Sequence, residues 1–388
     1  MKSPVTFIVS LVVFFAATAH PTPGDVPTRQ EVDELMGLPS EGDRTRGQLD
    51  TIGFVVHAAE AEEVVATAIE LEAKSLVEQY QDLEMGPGNG FIGGVCPHDD
   101  HLYAARVYVH LTERITAPRV ILIGVFHKAR LWDLEDRLVF DSFEAWHAPW
   151  GPMAVDSLRD ELIAALPEDS YVVDNTMQSR EHSLEAILPF IQRKNRQRTI
   201  VPILVPYMGW ERMEALSDQL ASALADVMEH RRWRLGLDLA IVVSSDAVHY
   251  GPDFEHAPFG TDPEAYVRAV ARDQELIADH LEGMLRPEAL RELLYALVEP
   301  EDVHRYSLPW CGRFSIPFGL EVLRKVALKT EGGVPEGKLL RYGTSISEPE
   351  LPVSSEARGG GLGYTAPSNL HHWVGYAAIG YRLGASGD

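Results

Sequence analysis

The chain has 388 residues, of which 45% are hydrophobic and 24% charged. This composition is ordinary for a folded protein and excludes a disordered or fibrous one. Its 34 Lys and Arg stand against 58 Asp and Glu, for a formal charge of −24 at pH 7; so acidic a protein repels a phosphate backbone, which excludes nucleic acid as an expected partner.

Residues 1–19 have the features of a secretory signal peptide. One basic residue precedes an apolar run from Val5 to Phe15, and Ala17 and Ala19 form the small-residue pattern of a cleavage site. The run is shorter than the roughly 20 apolar residues that span a bilayer. We therefore expect a protein that is exported to the periplasm or the cell exterior and has no membrane span after cleavage.

The rest of the chain is interpreted as an N-terminal arm followed by a single domain. Residues 20–57 are rich in Pro, Gly and charge and form the arm. The acidic stretch 58–84 has helical periodicity and begins the domain, which continues to residue 388. The Gly-rich MGPGNG, residues 85–90, lacks the Lys of a phosphate loop and is interpreted as a turn.

Strand-like apolar segments then alternate with segments of helical periodicity. The strand-like segments are FIGGV, RVILIGV, RLVF, TIVPILVP, LAIVVSS and the C-terminal GYAAIGYRL. The helix-like segments are HLYAARVYVHLTERI, DSLRDELIAALP, SLEAILPFIQRK and MEALSDQLASALADVME, and residues 261–328 are also expected to be helical. Because several strands are apolar throughout, the pattern predicts one α/β domain with a mainly parallel or mixed central sheet flanked by helices.

Histidines and carboxylates follow three of the predicted strands. CPHDDH follows FIGGV, His127 follows RVILIGV, and Asp246 and His249 follow LAIVVSS. In open α/β sheets, ligands bind beyond the carboxyl ends of the strands. One histidine in such a place is more often a satisfied polar residue than a ligand. Three strand ends that bring imidazole to one sheet edge favour a metal site, and His with carboxylate or thiolate suits Fe, Cu or Zn.

Two further segments place reactive side chains at predicted helix starts. SREHSLEAILPF contains Glu181, His182 and Glu185; the alternative for this segment is a helix cap, in which a serine and a glutamate satisfy backbone groups. SLPWCGRFSIPF places Cys311 at a helix entry, where a thiolate forms more readily. Cys96 and Cys311 are the two cysteines of the chain, and they either form one disulfide or remain thiols.

Taken in order, these motifs resemble those of the Memo family, including the Memo-like component (protein B) of the AmmeMemoRadiSam system. The family shares its fold with the class III extradiol ring-cleaving dioxygenases, the LigB-like type. Five segments carry the resemblance: CPHDDHLY for P-H-A-G-Y, IGVFHK for G-P-S-H-H, EHSLEAILPF for E-H-S-x-E-x-x-L-P-F, VVSSDAVHYG for S-S-D-x-x-H-x-G and CGRFSI for C-G-R-x-P-I. The resemblance spans residues 91–382.

The resemblance implies one transition-metal ion per chain, held by His98, His127 and Cys311. It also implies that Asp246, His249 and His182 line the pocket and that an imidazole moves a proton on or off the substrate. Glu185, which follows His182 in the same motif, is included among the candidate catalytic residues.

The chain departs from the family pattern beside the first of these ligands. Asp99, Asp100 and His101 stand where the family has A-G-Y, so they can supply additional ligands and are the expected source of this protein's own specificity. Cys96 is not part of the family pattern. A disulfide between Cys96 and Cys311 would remove a metal ligand and make the site redox-sensitive.

Three functions stay open from the sequence. The first is a metal-dependent oxidoreductase of the extradiol dioxygenase type that acts on a small molecule with Fe(II) or Cu; Zn in the same site would favour hydrolysis, by lowering the pKa of bound water to about 7. The second is a non-catalytic module that binds a metal or a peptide. The third is an accessory component of a radical-enzyme modification system. The sequence does not indicate an oligomeric state.

Overall fold

The computed structural model describes residues 44–85, 90–359 and 362–384. The predicted signal peptide, most of the predicted arm and the centre of the MGPGNG turn lie outside the described residues. None of the helices in the described ranges is long and apolar enough to cross a membrane.

The described chain alternates between helices and strands. The α-helices are α1 (Ala58–Asp82), α2 (His101–Thr112), α3 (Leu158–Ala165), α4 (Asn175–Ser179), α5 (Leu188–Lys194), α6 (Trp210–Arg231), α7 (Pro263–His280), α8 (Pro287–Leu297), α9 (Ser315–Thr330) and α10 (Ser355–Gly359). Short 3₁₀ helices are formed by Ala129–Trp132, Glu168–Ser170, Glu185–Ile187 and Pro252–Phe254. The strands are β1 (Thr45–Arg46), β2 (Gly93–Cys96), β3 (Arg119–Val125), β4 (Leu138–Phe140), β5 (Ala145–Trp146), β6 (Met153–Ala154), β7 (Tyr171–Val173), β8 (Thr199–Val205), β9 (Leu239–Ser244), β10 (His249–Tyr250), β11 (Gly283–Met284), β12 (Val298–Glu299), β13 (Asp302–Tyr306), β14 (Pro335–Thr344) and β15 (Trp373–Leu383).

A ten-stranded mixed sheet forms the centre of the molecule. Its strands lie in the order β11-β14-β15-β2-β9-β3-β8-β4-β7, and β10 pairs with β15. The four strands β2, β9, β3 and β8 run parallel, whereas β15 pairs antiparallel with β2. The predicted α/β class with a mixed sheet is confirmed. The parallel core means that the ends of β2, β9 and β3 open at the same edge.

Helices cover both faces of this sheet. A Cβ on Gly93 would meet Leu323 of α9, whereas a Cβ on Gly94 would meet Leu111 of α2. Successive strand residues point to opposite faces, so α9 and α2 lie on opposite sides of β2. The glycines are needed there because each contact would be 3.2 Å or shorter, which leaves no room for a side chain.

The structure differs from the predicted elements in the C-terminal half. Residues 261–328 do form α7, α8 and most of α9, but the hairpin β12–β13 interrupts them. Strand β14 was not expected, since its sequence PEGKLLRYGT is not continuously apolar. It joins the antiparallel side of the sheet through β15, where one half-buried face tolerates polar residues.

The described end of the predicted arm packs into the domain. β1 pairs in parallel with β5, and the Arg46 side chain is buried. Its Nη1 lies 2.6 Å from Oε2 of Glu185, an ion pair that is buried on both sides. Removing one member of such a pair leaves an uncompensated buried charge, so residues 44–57 are tied to the segment that contains His182.

Candidate metal centre

The three predicted metal ligands come together at the carboxyl edge of the parallel strands. His98 follows β2, His127 follows β3, and Cys311 precedes α9. One ligand atom from each of these residues lies within 4.8 Å of the others. A second group at the same place consists of Asp246, His249 and Cys311. The arrangement is close enough for one ion to contact all members of either group.

The hydrogen bonds of His98 define which ring nitrogen is free. Its Nδ1 lies 2.9 Å from Oγ of Ser244, and this hydroxyl donates its own proton to the carbonyl of Ser183. Ser244 therefore accepts from Nδ1–H, which leaves the lone pair on Nε2. Burial and the nearby imidazoles of His127 and His182 lower the pKa of His98 well below its usual range. The neutral ring thus presents an acceptor nitrogen to the site.

Two acceptor atoms face each other beside this ring. Nε2 of His98 is buried without a hydrogen-bond partner, although Oδ2 of Asp246 is only 3.3 Å away. The other oxygen of Asp246 accepts the backbone N–H of His98 at 3.0 Å. Burial, followed by the charge of Asp99, raises the pKa of Asp246 well above its usual range, and the backbone N–H of His98 and the nearby His127 oppose this rise only in part. A cation between these acceptors would stabilise both of them.

His127 is oriented by a buried carboxylate. Its Nδ1 lies 2.9 Å from Oε1 of Glu181, and its Nε2 lies 3.4 Å from Sγ of Cys311. Glu181 also accepts the backbone N–H groups of His127, His182 and Ser183. Burial opposes ionisation of Glu181, but His127, His182 and these donors hold its pKa well below the usual range. A carboxylate on the far nitrogen of an imidazole is the common support of a metal-binding histidine.

Cys311 also contacts His249. Its Sγ lies 3.5 Å from Nε2 of His249. Burial lowers the pKa of His249, but Cys311 outweighs that effect and raises it. Both cysteines are free, so the disulfide that the sequence left open is not formed. Cys96 is fully buried, and burial and Asp246 raise its thiol pKa well above the usual range, which disfavours a thiolate.

The site opens into a cavity of about 590 Å³, a volume typical of small-molecule sites. Most of the predicted site residues line it: His98, Asp99, Asp100, His127, His182, Asp246, His249 and Cys311. Sequence reasoning missed several others: Asp50, Phe54, Tyr103, Tyr306, Arg313 and Tyr376. Asp50 and Phe54 belong to the predicted arm, and the remainder come from segments far apart in the chain. Tyr103 ends the quoted motif CPHDDHLY and Arg313 stands inside CGR, but neither motif assigned a role to these residues.

Comparisons with known proteins identify the family of the chain. The profile of the family described as Memo-like protein matches residues 67–357. The chain belongs to the Memo family. Among curated relatives, a MEMO1 family protein of Methanopyrus kandleri is 26% identical over 81% of this chain and 94% of its own length. One from Pyrococcus furiosus is 27% identical over 72% of this chain and 87% of its own length.

A third relative, a MEMO1 family protein of Aquifex aeolicus, is 30% identical over 40% of this chain. That alignment spans about half, 53%, of the relative's own length. Its name states family membership alone, as do the names of the other two.

Two of the contacts that hold His182 at the cavity wall of this Memo-family chain involve His127 and Asp50. Its ring stacks on that of His127, with centroids 4.8 Å apart and planes 22° from parallel. Its Nδ1 lies 3.3 Å from Oδ2 of Asp50. The predicted pocket position of His182 therefore depends on a carboxylate from the arm.

Two candidate residues are engaged elsewhere. Nδ1 of His101 accepts the backbone N–H of Val55 and its Nε2 donates to the carbonyl of Ala186, so neither nitrogen is left for a metal; burial lowers its pKa to about 4. Glu185 does not line the cavity, because its carboxylate binds Arg46 and the backbone N–H groups of Leu49 and Asp50. The structure thus does not bring these two residues to the site.

The two aspartates after His98 have different surroundings. Oδ2 of Asp99 accepts the hydroxyl proton of Tyr376 at 2.7 Å. Asp100 accepts the backbone N–H of Thr365 at 2.6 Å, and burial followed by the charge of Asp99 raises its pKa to about 7. Asp100 therefore connects the loop at Thr365 to the start of α2. Asp99 instead lies at the cavity surface, where the hydroxyl of Tyr376 holds it in place.

A buried aspartate supports the loops that contain Cys311 and His249. Asp273 of α7 accepts protons from Nε1 of Trp310 at 2.6 Å and from the hydroxyl of Tyr342 at 2.7 Å. The backbone N–H of Val248 lies 3.3 Å from the same carboxylate. Trp310 and Val248 immediately precede Cys311 and His249. Asp273 therefore links both site residues to one helix.

Proposed function

We propose that this Memo-family protein is an exported, mononuclear metal-dependent oxidoreductase of dioxygenase-like type that acts on a small molecule. The observation that carries the proposal is the buried, unpartnered Nε2 of His98, which faces the same space as His127 and Cys311. A buried acceptor without a donor costs free energy unless something satisfies it. A metal ion would do so.

The donor set decides which ions fit. Two neutral imidazoles and a thiolate suit Cu or Fe(II), and they also suit Zn. Asp246, with one oxygen 3.3 Å from His98, adds an oxygen donor at the same place. When bound, a redox-active ion supplies electron-transfer chemistry and open coordination positions for a substrate. His98, His127 and Cys311 would hold the ion at the wall of the cavity.

The chain's own residues supply proton transfer. His249 and His182 both line the cavity and can move a proton to or from a substrate atom. Asp50 orients the ring of His182. Among the described residues, Asp246 accepts the backbone N–H of His98 and has no hydrogen bond with His249, so it positions His98. Phe54 and Phe254 supply apolar wall to the cavity and help to exclude water.

Export is proposed from the sequence of residues 1–19. Their basic residue, apolar run and small residues near the cleavage site match a secretory signal peptide. Mass spectrometry of the mature N-terminus checks this part of the proposal. A mature chain that retains residues 1–19 and stays inside the cell would refute it.

The central experiment combines metal analysis with oxygen uptake. Purified protein is assayed for Fe, Cu and Zn and then tested with catechols and other phenols. We expect a stoichiometric redox metal and oxygen uptake that disappears in His98→Ala. Lys128→Gln is the matched control, since Lys128 follows His127 but does not line the cavity.

Each other outcome has a definite meaning. A protein that binds no metal, even after reconstitution, refutes the proposal. Stoichiometric Zn with hydrolysis of test esters and no oxygen uptake replaces it with a hydrolase. Bound metal with neither reaction replaces it with the non-catalytic binding module.

A further inference from the structure

Arg313 is the one Arg or Lys side chain among the described residues that line the cavity. It stands two residues after Cys311, so it lies close to the candidate metal. Its Nε is buried and has no hydrogen-bond partner. No carboxylate in the described ranges forms an ion pair with it, although the chain has 58 Asp and Glu. Such an arginine has N–H donors and a positive charge that can bind an anionic ligand.

The guanidinium is held in place by neighbours that do not use its full donor capacity. It lies 3.6 Å from the centroid of the Tyr306 ring, and its Nη1 donates to the carbonyl of Trp310. Tyr306 is itself fixed by a hydroxyl contact of 2.5 Å with Tyr207. A stacked guanidinium is pre-organised, and its remaining N–H groups lie at its edge. Little side-chain entropy is then lost when a ligand binds.

The four aspartates that line the cavity all contact other groups, and Asp246 accepts the backbone N–H of His98. Asp99 accepts from Tyr376, Asp100 accepts from Thr365, and Asp50 lies beside His182. These contacts reduce the repulsion that an anion would meet. A planar edge of N–H donors matches the two coplanar oxygens of a carboxylate better than it matches a neutral group of the same shape.

We propose that Arg313 binds the carboxylate of the substrate, so that the substrate class is small carboxylic acids. The ligand's identity as a substrate rests on the proposed function, whereas the charge preference of the cavity does not. Arg313 is then a specificity residue that places the rest of the molecule beside His98, His127 and Cys311.

Benzoate and benzamide test the proposal, because they have the same size and shape and differ in charge. Each is titrated by calorimetry into metal-free and metal-loaded protein. We expect the wild type to bind benzoate at least about tenfold more tightly than benzamide, even without metal, since a charged hydrogen bond is roughly twice as strong as a neutral one. Arg313→Gln should lose the preference, and Arg313→Lys should keep part of it.

Arg130→Gln is the matched control. Arg130 also lies against Tyr306, 5.1 Å from the ring centroid, but does not line the cavity. The preference for benzoate should be unchanged in this variant. Because Arg313 also donates to the Trp310 carbonyl, thermal unfolding of each variant is measured in parallel; if Arg313→Gln does not fold, Arg313→Lys decides the question.

Equal binding of the two probes by the wild type would overturn the inference, as would an unchanged preference in Arg313→Gln or, where that variant is unfolded, in Arg313→Lys. The metal-free titration separates this inference from the proposed function. A protein that takes up no metal but prefers benzoate through Arg313 keeps the anion site and loses the oxidoreductase. A protein that takes up a redox metal but binds benzoate and benzamide equally keeps the proposed function and loses the anion site.

Discussion

Nδ1 of His127 lies 2.9 Å from Oε1 of Glu181, and this contact leaves Nε2 as the nitrogen that faces Cys311. The same carboxylate accepts hydrogen bonds from three backbone N–H groups. Glu181 therefore connects the end of β3 to the His182 segment. Its removal should alter the candidate metal centre without touching a ligand.

Glu181→Gln is expected to weaken metal binding roughly 10- to 100-fold, the range found when the carboxylate behind a ligand histidine is lost. The amide keeps the size of the side chain but brings N–H groups toward backbone donors. Competition with a chromophoric chelator measures the affinity. Glu135→Gln is the control, because Glu135 also pairs with a histidine, His304 at 3.3 Å, but this pair is exposed. An affinity of Glu181→Gln equal to that of wild type would remove Glu181 from the site.

Cys311→Ser should abolish the sulfur-to-metal charge-transfer absorption of the Cu(II)- or Co(II)-loaded protein, because an alcohol is a far weaker ligand than a thiolate. Cys96→Ala should keep that absorption, since Cys96 is buried away from the cavity lining. Visible spectra of both variants provide the measurement. Loss of the band in Cys96→Ala alone would reverse the assignment of the ligand.

Asp273→Asn should weaken metal binding several-fold and lower the free energy of unfolding by about 1–3 kcal/mol, the usual cost of leaving buried donors unsatisfied. The two carboxylate oxygens of Asp273 accept hydrogen bonds from Trp310 and Tyr342. An asparagine has one acceptor oxygen, and its NH₂ group cannot accept the second hydrogen bond. Chelator competition and urea denaturation measure the two effects. Asp279→Asn, at an exposed position of α7, is the control. Wild-type metal affinity in Asp273→Asn would show that the network does not position Cys311 and His249.

Glu72 is expected to make stability depend on acid pH. Burial opposes its ionisation, but His110, Arg106 and Arg341 lower its pKa from 4.5 to about 2. A depressed pKa stabilises the fold above pH 4.5, and the contribution is lost as the pH falls toward 2. Glu72→Gln should therefore cost about 1–2 kcal/mol at pH 7, a value reduced for the partly exposed arginines.

Urea denaturation at pH 7 and again at pH 3 measures that difference, which should shrink at the lower pH. Glu70→Gln is the matched control on α1, because Glu70 is exposed. A cost of Glu72→Gln that is the same at both pH values would show that the ionised carboxylate is not what stabilises this cluster.

Local patterns in the sequence were sufficient to predict the parallel strands and the edge of the sheet where the histidines gather. β3, β8 and β9 are buried along nearly their whole length, so their segments had to be apolar throughout, and that property is visible without a structure. His98 and His127 follow the ends of β2 and β3, where the chain direction determines which edge of the sheet they reach. It was the resemblance to the Memo family that selected these two residues and Cys311 as ligands.

Packing between distant segments decided the rest. Glu185 and His182 belong to one short motif, yet Arg46, 139 residues away, takes Glu185 out of the cavity, while Asp50 orients His182. His101 is three residues from His98, yet the backbone of Val55 and Ala186 occupies both of its nitrogens.

The sequence by itself determined the α/β class and the edge of the sheet at which the site lies, because these depend on chain direction and on burial patterns that are local. The three candidate ligands came from the resemblance to the Memo family. The tertiary structure alone decided which polar residues stay available, since a side chain's role depends on the donors and acceptors that other segments bring to it. Arg313 shows this best: its place in CGR was plain, but its buried, unpartnered Nε appears only in the folded chain.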